Sequence, residues 1–483
     1  MSARGREINR WLIWFHRWTG VALCLLVAAW FVSGAILHFV PYPALERSEQ
    51  LTRSDAIDLN RVHIAPQAAL ARMPADVTEL RLVSVAGRPI YIGAGPSGTR
   101  ARIAADTGEL LPPVGAAIAR TVAARFAGSP ASRVTGPLDY DQWMVHQRFN
   151  PYRPMFRVRM ADPERTDLYV SAATGEVVQR TTFTERFWNW PGAVLHWIYF
   201  TPLRSNWSAW NQTVWWLALI ALLSATVGLW LGVDRLIANR SAGRAGLSPF
   251  RGWMRWHHLI GLFAGLSVFA FMLSGWLSMD HGRMFPMGKA TALEVTRLRG
   301  LPLAAVTAAA SLETVQGLGV AKAVSFHALG GRPFLAVENG GDRGSHVLWL
   351  TDARSVESLP DTALLAAVRT VWSDAAPARD RLDELYRLAE HLPPSARGFV
   401  AQDEAASRIY VDSTSGDILS VMNPGRRAYA WVYYALHTLN FPGLLSHPLA
   451  RVAIELLLLA GGLASGVTGI VLAFRRVRRD LVH

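Results

Sequence analysis

Four stretches of the chain carry no charge at all: 18–37, 205–233, 259–279 and 456–474. Each is long enough to cross roughly 30 Å of hydrocarbon, which takes about 20 helical residues. They predict four transmembrane helices with the lipid bilayer as solvent. Between the first and second, and between the third and fourth, lie two long polar segments, 41–185 and 281–426. Both contain short amphipathic stretches (64–73, 116–126, 303–312, 362–372), each followed by alternating apolar positions of the kind seen in Arg88-Pro89-Ile90-Tyr91-Ile92 and Arg332-Pro333-Phe334-Leu335-Ala336. Turns follow at Asp106-Thr107-Gly108-Glu109, Ala173-Thr174-Gly175-Glu176 and Thr414-Ser415-Gly416-Asp417, where glycine supplies the positive φ of a hairpin. The spacing predicts four small α+β modules, two per segment. The fourth turn, near Asp352-Ala353-Arg354, lacks the glycine.

One offset, 241 residues, recurs through the chain. His16 maps onto His257, Gly20 onto Gly261, Ser33-Gly34 onto Ser274-Gly275, Tyr169-Val170 onto Tyr410-Val411, Trp190 onto Trp431, His196 onto His437, Ser224 onto Ser465 and Gly228 onto Gly469. So many identities in one register read as a tandem duplication of a helix, an outside region and a helix. Repeats that start and end on the same side of the membrane are parallel, related by a pseudo-twofold axis along the membrane normal. Equivalent residues then face one another across that axis.

Composition agrees with a membrane protein: 51% of the 483 residues are apolar and 18% charged, with a mean hydropathy of +0.18. The net charge of +13 does not point to nucleic acid, because twelve arginines at positions 4–10, 235–255 and 475–479 are opposed there by only Glu7, Asp234 and Asp480. Nine of the thirteen charges therefore flank the apolar stretches. By the positive-inside rule both termini and the central loop are cytoplasmic and the two long regions periplasmic, in a bacterial inner membrane. The first span reads as an uncleaved anchor, since Phe39-Val40-Pro41 offers no small-residue cleavage site. The resulting map is 1–40 N-terminus and first span, 41–185 first outside region, 186–233 juxtamembrane helix and second span, and 234–256 cytoplasmic loop. It continues with 257–280 third span, 281–426 second outside region, 427–474 juxtamembrane helix and fourth span, and 475–483 tail. A single cysteine, Cys24, excludes intrachain disulfides and Cys-ligated zinc or iron–sulfur centres.

Histidines carry the candidate chemistry. His16 and His257 occupy equivalent helix ends, where an imidazole can ligate haem iron or can simply lie at the interface with its polar tip in water. The pairing by duplication favours ligation. His196 and His437 form a second equivalent pair on the outside, read either as ligands or as residues packing the outside regions on the membrane. His38 lies on the same face of the first span as His16, and its repeat counterpart is Met279, a possible thioether ligand. An outer haem is thus held by His196 with His437, or by His38 with one of them. His258, opposite Arg17 in the repeat, is a propionate partner or a plain interface residue. Glu455 is the one acid near a span and stands four residues after Arg451. The tryptophans around 188–216 read as an interfacial belt. Arg148, Arg153, Arg157 and Arg159 would attract an anionic chelate or mark a solvated strand face. HExxH, GxSxG, Walker and dinucleotide-binding signatures are absent in any plausible context.

Phe15-His16-Arg17-Trp18-Thr19-Gly20, Ser33-Gly34, Leu168-Tyr169-Val170 with Thr174-Gly175-Glu176, Leu195-His196 and Thr226-Val227-Gly228 together resemble the PepSY-associated transmembrane family. Within it the chain is similar to inner-membrane ferric-siderophore reductases of the FoxB/PiuB type, over essentially its full length. The resemblance implies an α+β membrane protein whose four-helix transmembrane bundle holds haem b, two groups if both histidine pairs are used, with two periplasmic regions of PepSY-like α+β modules. It also implies reduction of a ferric siderophore in the periplasm, with electrons from a quinol or a cytoplasmic reductase. The sequence departs from the pattern at Trp256-His257-His258-Leu259, and the second outside region shows no clear partner for Asp141-Gln142-Trp143. Two other readings are a non-enzymatic membrane protein whose outside modules bind peptides or inhibit an envelope protease, and the membrane partner of another oxidoreductase.

Overall fold

In the computed structural model, residues 3–340, 344–378, 380 and 382–482 are described; within the segments mapped above, positions 1–2, 341–343, 379, 381 and 483 lie outside the described residues. The four charge-free stretches grow into helices at Ala3–Phe39, Trp207–Ser241, Gly252–Ser278 and Pro448–Val482. All four are long and apolar enough to cross a bilayer. The first and fourth overrun the charge-free core at both ends, the second only at its C-terminal end and the third only at its N-terminal end, because caps, not the loss of hydropathy, stop a helix: the Asn206 side chain, for example, accepts the Ala209 N–H at the start of the second.

The first helix packs on the fourth and second, and the third on the second and fourth, so the first and third face each other across a diagonal. Small residues let the backbones close up. A Cβ added at Gly466 would stand 3.0 Å from Ala28 Cβ, and one at Gly461 3.0 Å from Ala264 Cβ.

Outside the bundle the strands form three sheets rather than four modules. Strands β1 (Glu79–Val85), β2 (Arg88–Ala94) and β3 (Arg100–Ala104) come from the first region. Then β4 (Ala131–Leu138), β5 (Met155–Met160), β6 (Asp167–Ser171) and β7 (Val177–Thr181) make a four-stranded sheet in chain order. The second region supplies β8 (Ala323–Leu329), β9 (Arg332–Glu338), β10 (His346–Trp349) and β11 (Ser355–Val356), then a second four-stranded sheet of β12 (Ala376–Pro377), β13 (Ala396–Val400), β14 (Arg408–Asp412) and β15 (Ile418–Met422).

The leading modules of the two regions merge into one seven-stranded sheet, ordered β11-β10-β9-β8-β1-β2-β3 and joined where Leu82 pairs with Val324. The reason is chemical. β1 and β8 are apolar on both faces, with Leu80, Leu82 and Val324 fully buried, and an open edge beside such strands would leave backbone N–H and C=O groups unpaired. The amphipathic stretches form helices at Pro66–Leu70, Ala116–Ala127, Leu303–Ala309 and Asp361–Arg369. The turn without glycine is present too, with Ala353 at φ 54°.

Each four-stranded sheet is tied by a buried tyrosine. Tyr169 donates to Asp141 (2.6 Å) and Tyr410 to Asp383 (2.9 Å), so the second region does have a counterpart of Asp141, displaced by one residue from the 241 offset. Arg157 and Arg159 are engaged with Asp141 and Asp167, at 2.8 Å each. Arg153 donates to the Met144 carbonyl and covers the Tyr140 ring.

Candidate functional site

Two pairs of histidines meet inside the bundle. His16 on the first helix and His257 on the third have ring centroids 6.3 Å apart. His196 and His437, which follow or end π-helical turns at Trp190–Val194 and Ala430–His437, have centroids 6.2 Å apart. Those turns pack against the first and third helices respectively. The chain then turns sharply in a strained way: Ile198 and Leu439, two residues past each histidine and 241 apart, both adopt φ 53°.

Hydrogen bonding fixes the same tautomer in all four rings. His16 Nδ1 lies 2.9 Å from the Ser224 carbonyl oxygen, which can only accept, so Nδ1 carries the proton. His257 Nδ1 donates to Thr468 Oγ1 at 2.9 Å, because that hydroxyl spends its own proton on the Ser465 and Ala464 carbonyls. His196 Nδ1 donates to Ser33 Oγ (2.9 Å), whose hydroxyl is committed to the Trp30 carbonyl. His437 Nδ1 donates to Ser274 Oγ (3.0 Å), committed to Ala270 and Phe271. Each Nε2 lone pair is therefore free, with no hydrogen-bond partner among the described residues. An outer hydrogen bond on one nitrogen that frees the other for metal is the usual support of a ligating imidazole.

Each ring also rests on a glycine of a neighbouring helix. A Cβ at Gly228 would reach 2.5 Å from His16 Cε1, at Gly275 3.4 Å from His437 Cε1, at Gly34 3.5 Å from His196 Cε1, and at Gly469 3.9 Å from His257 Cε1.

The donor set can be tested against what it could hold. Two imidazoles bound through Nε2 to opposite faces of one metal, at about 2 Å each and with ring centres about 1.1 Å behind the nitrogens, stand roughly 6.2 Å apart. Both pairs have this spacing. Among the described residues no group of three or more His, Cys, Asp or Glu could hold a metal ion. A bare zinc would lack ligands, whereas haem b brings four nitrogens of its own and asks the protein for two axial donors. The residues present fit haem at both levels.

The levels are separated along the first helix by the 17 residues from His16 to Ser33, a rise of about 26 Å. Apolar rings line the outer level, with Phe31 edge-on to Phe271 (6.0 Å) and Phe271 edge-on to His437 (5.8 Å), and apolar side chains such as Leu23, Leu26, Val27 and Val268 continue the core below them.

His38 joins neither pair. Its Nδ1 lies 3.1 Å from Glu455 Oε2, while Arg451, four residues before Glu455, stands 3.9 Å from the same oxygen. Met279 caps the third helix and packs on the bundle core. His258 is buried, donates from Nε2 to the Gly232 carbonyl at 2.9 Å and packs on Phe250. The sequence reading did not identify the positioning residues Ser33, Ser274, Thr468 and Ser224. For Ser33 with Ser274 the signal was a serine recurring in both halves on a helix other than the one bearing the histidine; Thr468, whose counterpart at the 241 offset is Val227, and the Ser224 backbone carbonyl gave none.

Among curated proteins none matches the chain. The model of the PepSY-associated TM region matches residues 13–328, which takes in the first three spans with His16, His196 and His257. With more than half of its length covered in this way, the chain belongs to the PepSY-associated transmembrane family.

Proposed function

We propose that this membrane protein is a haem b-dependent reductase that passes electrons through the bilayer to ferric iron held in a siderophore on the periplasmic side. The observation that carries the reading is the repeated spacing of two opposed imidazoles, 6.3 and 6.2 Å, with every Nε2 free. Haem, when bound, supplies an iron centre that takes up and releases one electron without moving protons or breaking bonds. The chain's own residues then have three tasks. His16 with His257, and His196 with His437, would hold the group through their free Nε2 atoms at two depths. Ser224, Thr468, Ser33 and Ser274 hold those rings in orientation. Phe31 and Phe271, with the apolar core residues Leu23, Leu26, Val27 and Val268 below them, keep the space between the levels dry, so that charge crosses as electrons and not through a water-filled path.

The arginine clusters favour an arrangement with the His16–His257 level cytoplasmic and the His196–His437 level next to the outside sheets. A quinol or a cytoplasmic reductase would supply electrons at the former. One electron converts Fe³⁺ to Fe²⁺, and the softer, less charged ion is held more weakly by hard oxygen ligands, which frees the metal with the siderophore intact.

The test is a visible spectrum and a turnover assay on purified protein. Split α/β bands on dithionite reduction are expected for two low-spin haems. The double variant His196→Ala with His437→Ala should keep a reducible inner haem and stop reduction of a ferric hydroxamate, read with a ferrous-specific dye. A colourless protein from haem-replete cells, or undiminished reduction by the double variant, would overturn the reading.

A further inference from the structure

Just past the outer histidines, in the short helix Thr201–Arg204, stands an arginine with an unusual environment. Arg204 is 2% exposed, yet no carboxylate lies within ion-pair distance of it and its side chain makes no hydrogen bond among the described residues. Its Nε is buried without a partner. Its guanidinium faces three aromatic rings, Trp210 at 4.5 Å, Trp207 at 4.8 Å and Tyr199 at 5.0 Å. Ring faces steady the cationic charge but cannot accept all five in-plane N–H groups, and a buried guanidinium left without an acceptor is costly.

The repeat shows that the fold does not require this arginine. The equivalent short helix Pro442–Leu445 carries Leu445 at the matching position. The cation is therefore an addition to the scaffold.

Other cationic donors converge on it from both halves. His146 stands close enough to Arg148, Arg204 and His391 to be repelled by each, with Glu390 beside His391 and Glu46 near Arg148, and the Arg148 guanidinium donates to the Pro43 carbonyl at 3.4 Å with no carboxylate within ion-pair distance among the described residues. His146 Nδ1 accepts the Arg148 backbone N–H at 3.1 Å, which leaves Nε2–H as a donor. Burial, with the charges of Arg148 and Arg204, pushes His146 down to about 4. His391 sits at φ 51° and shares a 2.9 Å hydrogen bond with Tyr434. Tyr434 in turn packs on Tyr433 (4.9 Å), which stacks on His437 (5.5 Å), so these groups are linked by contact to the outer histidine pair.

We propose that Arg204, with Arg148 and His146 near it, is an oxyanion-binding site that takes a carboxylate-class ligand next to the His196–His437 pair. Two sources share that chemistry: a propionate of a haem held by the pair, and an anionic ferric chelate docking from outside. The second source deepens the reductase reading and rests on it; the anion site itself does not.

The experiment uses the full chain in lipid nanodiscs with gallium(III) citrate, an anionic and redox-inert stand-in for a ferric chelate, titrated by calorimetry into wild type, Arg204→Gln and Arg148→Gln. Losing one charge-assisted contact should weaken binding about tenfold to a hundredfold. In parallel, haem content and the midpoint potentials are measured with haem and with its propionate dimethyl ester. Weakened gallium citrate binding with haem unchanged assigns the site to an outside anion. A shift of one haem's potential in Arg204→Gln that vanishes with the dimethyl ester assigns it to a propionate. If neither binding nor potential responds in either variant, the site is refuted. Should Arg204→Gln fail to fold, Arg148→Gln, at an exposed position, carries both measurements. Gallium citrate binding by a chain that proves free of haem would keep the anion site and remove the reductase reading, so the two can fail separately.

Discussion

The glycine beneath each histidine makes a graded prediction. In Gly228→Ala the new methyl would sit 2.5 Å from His16 Cε1, 3.0 Å from Nδ1 and 3.2 Å from Nε2. Carbon atoms settle at about 3.5–4.0 Å, so the ring must retreat by about 1 Å or more. That breaks the 2.9 Å bond from Nδ1 to the Ser224 carbonyl and changes the 6.3 Å spacing to His257. Metal–ligand distances tolerate only about 0.2 Å. The same change improves helix propensity by about 1 kcal/mol, so the protein should accumulate normally. Gly469→Ala, 3.9 Å from His257 Cε1, makes ordinary contact, as do Gly275→Ala at 3.4 Å and Gly34→Ala at 3.5 Å. Pyridine-haemochrome quantitation per chain is the assay. Gly228→Ala should lose one haem of two, while the other three variants retain both. Full haem content and an unchanged low-spin spectrum in Gly228→Ala, or an equal loss in Gly469→Ala, would refute the cradle argument.

Three further outcomes follow from the same structure. His38→Ala should leave haem content at the wild-type level, because His38 contacts Glu455 at 3.1 Å and neither histidine pair; loss of a haem in the same assay would put His38 among the ligands. In a Cys24→Ala background, cysteines at the exposed positions Ser97 and Gly319 should react with an impermeant maleimide added outside while one at Gly243 should not, and labelling at Gly243 in intact spheroplasts would invert the topology. The bidentate pair of Arg81 with Glu176, at 3.0 and 2.8 Å, clamps the seven-stranded sheet to the β6–β7 turn, and Arg81→Met should cost about 3 kcal/mol by stranding a carboxylate that is 11% exposed. Burial pushes Glu176 up, but the charge and hydrogen bonds of Arg81 outweigh it and hold the group below the usual carboxylate range. Its contribution is therefore present above its unfolded value near about 4.3 and fades as pH falls through the lower folded value, so Glu176→Gln should flatten the acid limb of thermal melts taken between about pH 6 and pH 3.

The spans were legible because a bilayer demands one simple thing, about 20 residues without charge, and residues such as Leu259–Met279 meet it without ambiguity. His16 with His257, and His196 with His437, were legible because a fixed offset predicts which residues meet across an axis, whatever the details of packing. What the offset could not convey was depth. Counting along the first helix left His38 open as an alternative outer ligand, whereas the turn that bears His196 folds back to the level of Ser33, between Pro191 and the sharp bend at Ile198. Nor could it reveal that β1 and β8 would pair, since an edge that bonds to a neighbour as distant as Val324 is from Leu82 looks in sequence like any other apolar strand. The hydroxyls of Ser33, Ser274 and Thr468 escaped notice for a related reason: a serine in a span ordinarily bonds back to its own helix, as these also do, and only the approach of a second helix gives the oxygen its further role.

Under the proposed function, the arrangement of the histidines also gives each half of the chain a part in both sites. Each pair takes one imidazole from before the central loop and one from after it: His16 with His257, and His196 with His437. A single half would present one histidine of each pair, at levels about 26 Å apart and with no ring opposite. Bringing the two halves together completes both pairs at once, with a glycine against each ring; the Nδ1 partners match at the outer level, Ser33 and Ser274, and differ at the inner one, the Ser224 carbonyl against the Thr468 hydroxyl. Once both units lie in one chain, positions away from the axis are free to diverge. They have done so next to the outer pair, where Arg204 stands against Leu445, Tyr433 against Gly192 and Tyr434 against Ala193, but not at the four histidines or at Gly34, Gly228, Gly275 and Gly469. Symmetry is kept where a two-sided ligand set requires it. It is lost on the side where a single asymmetric molecule would have to be recognised.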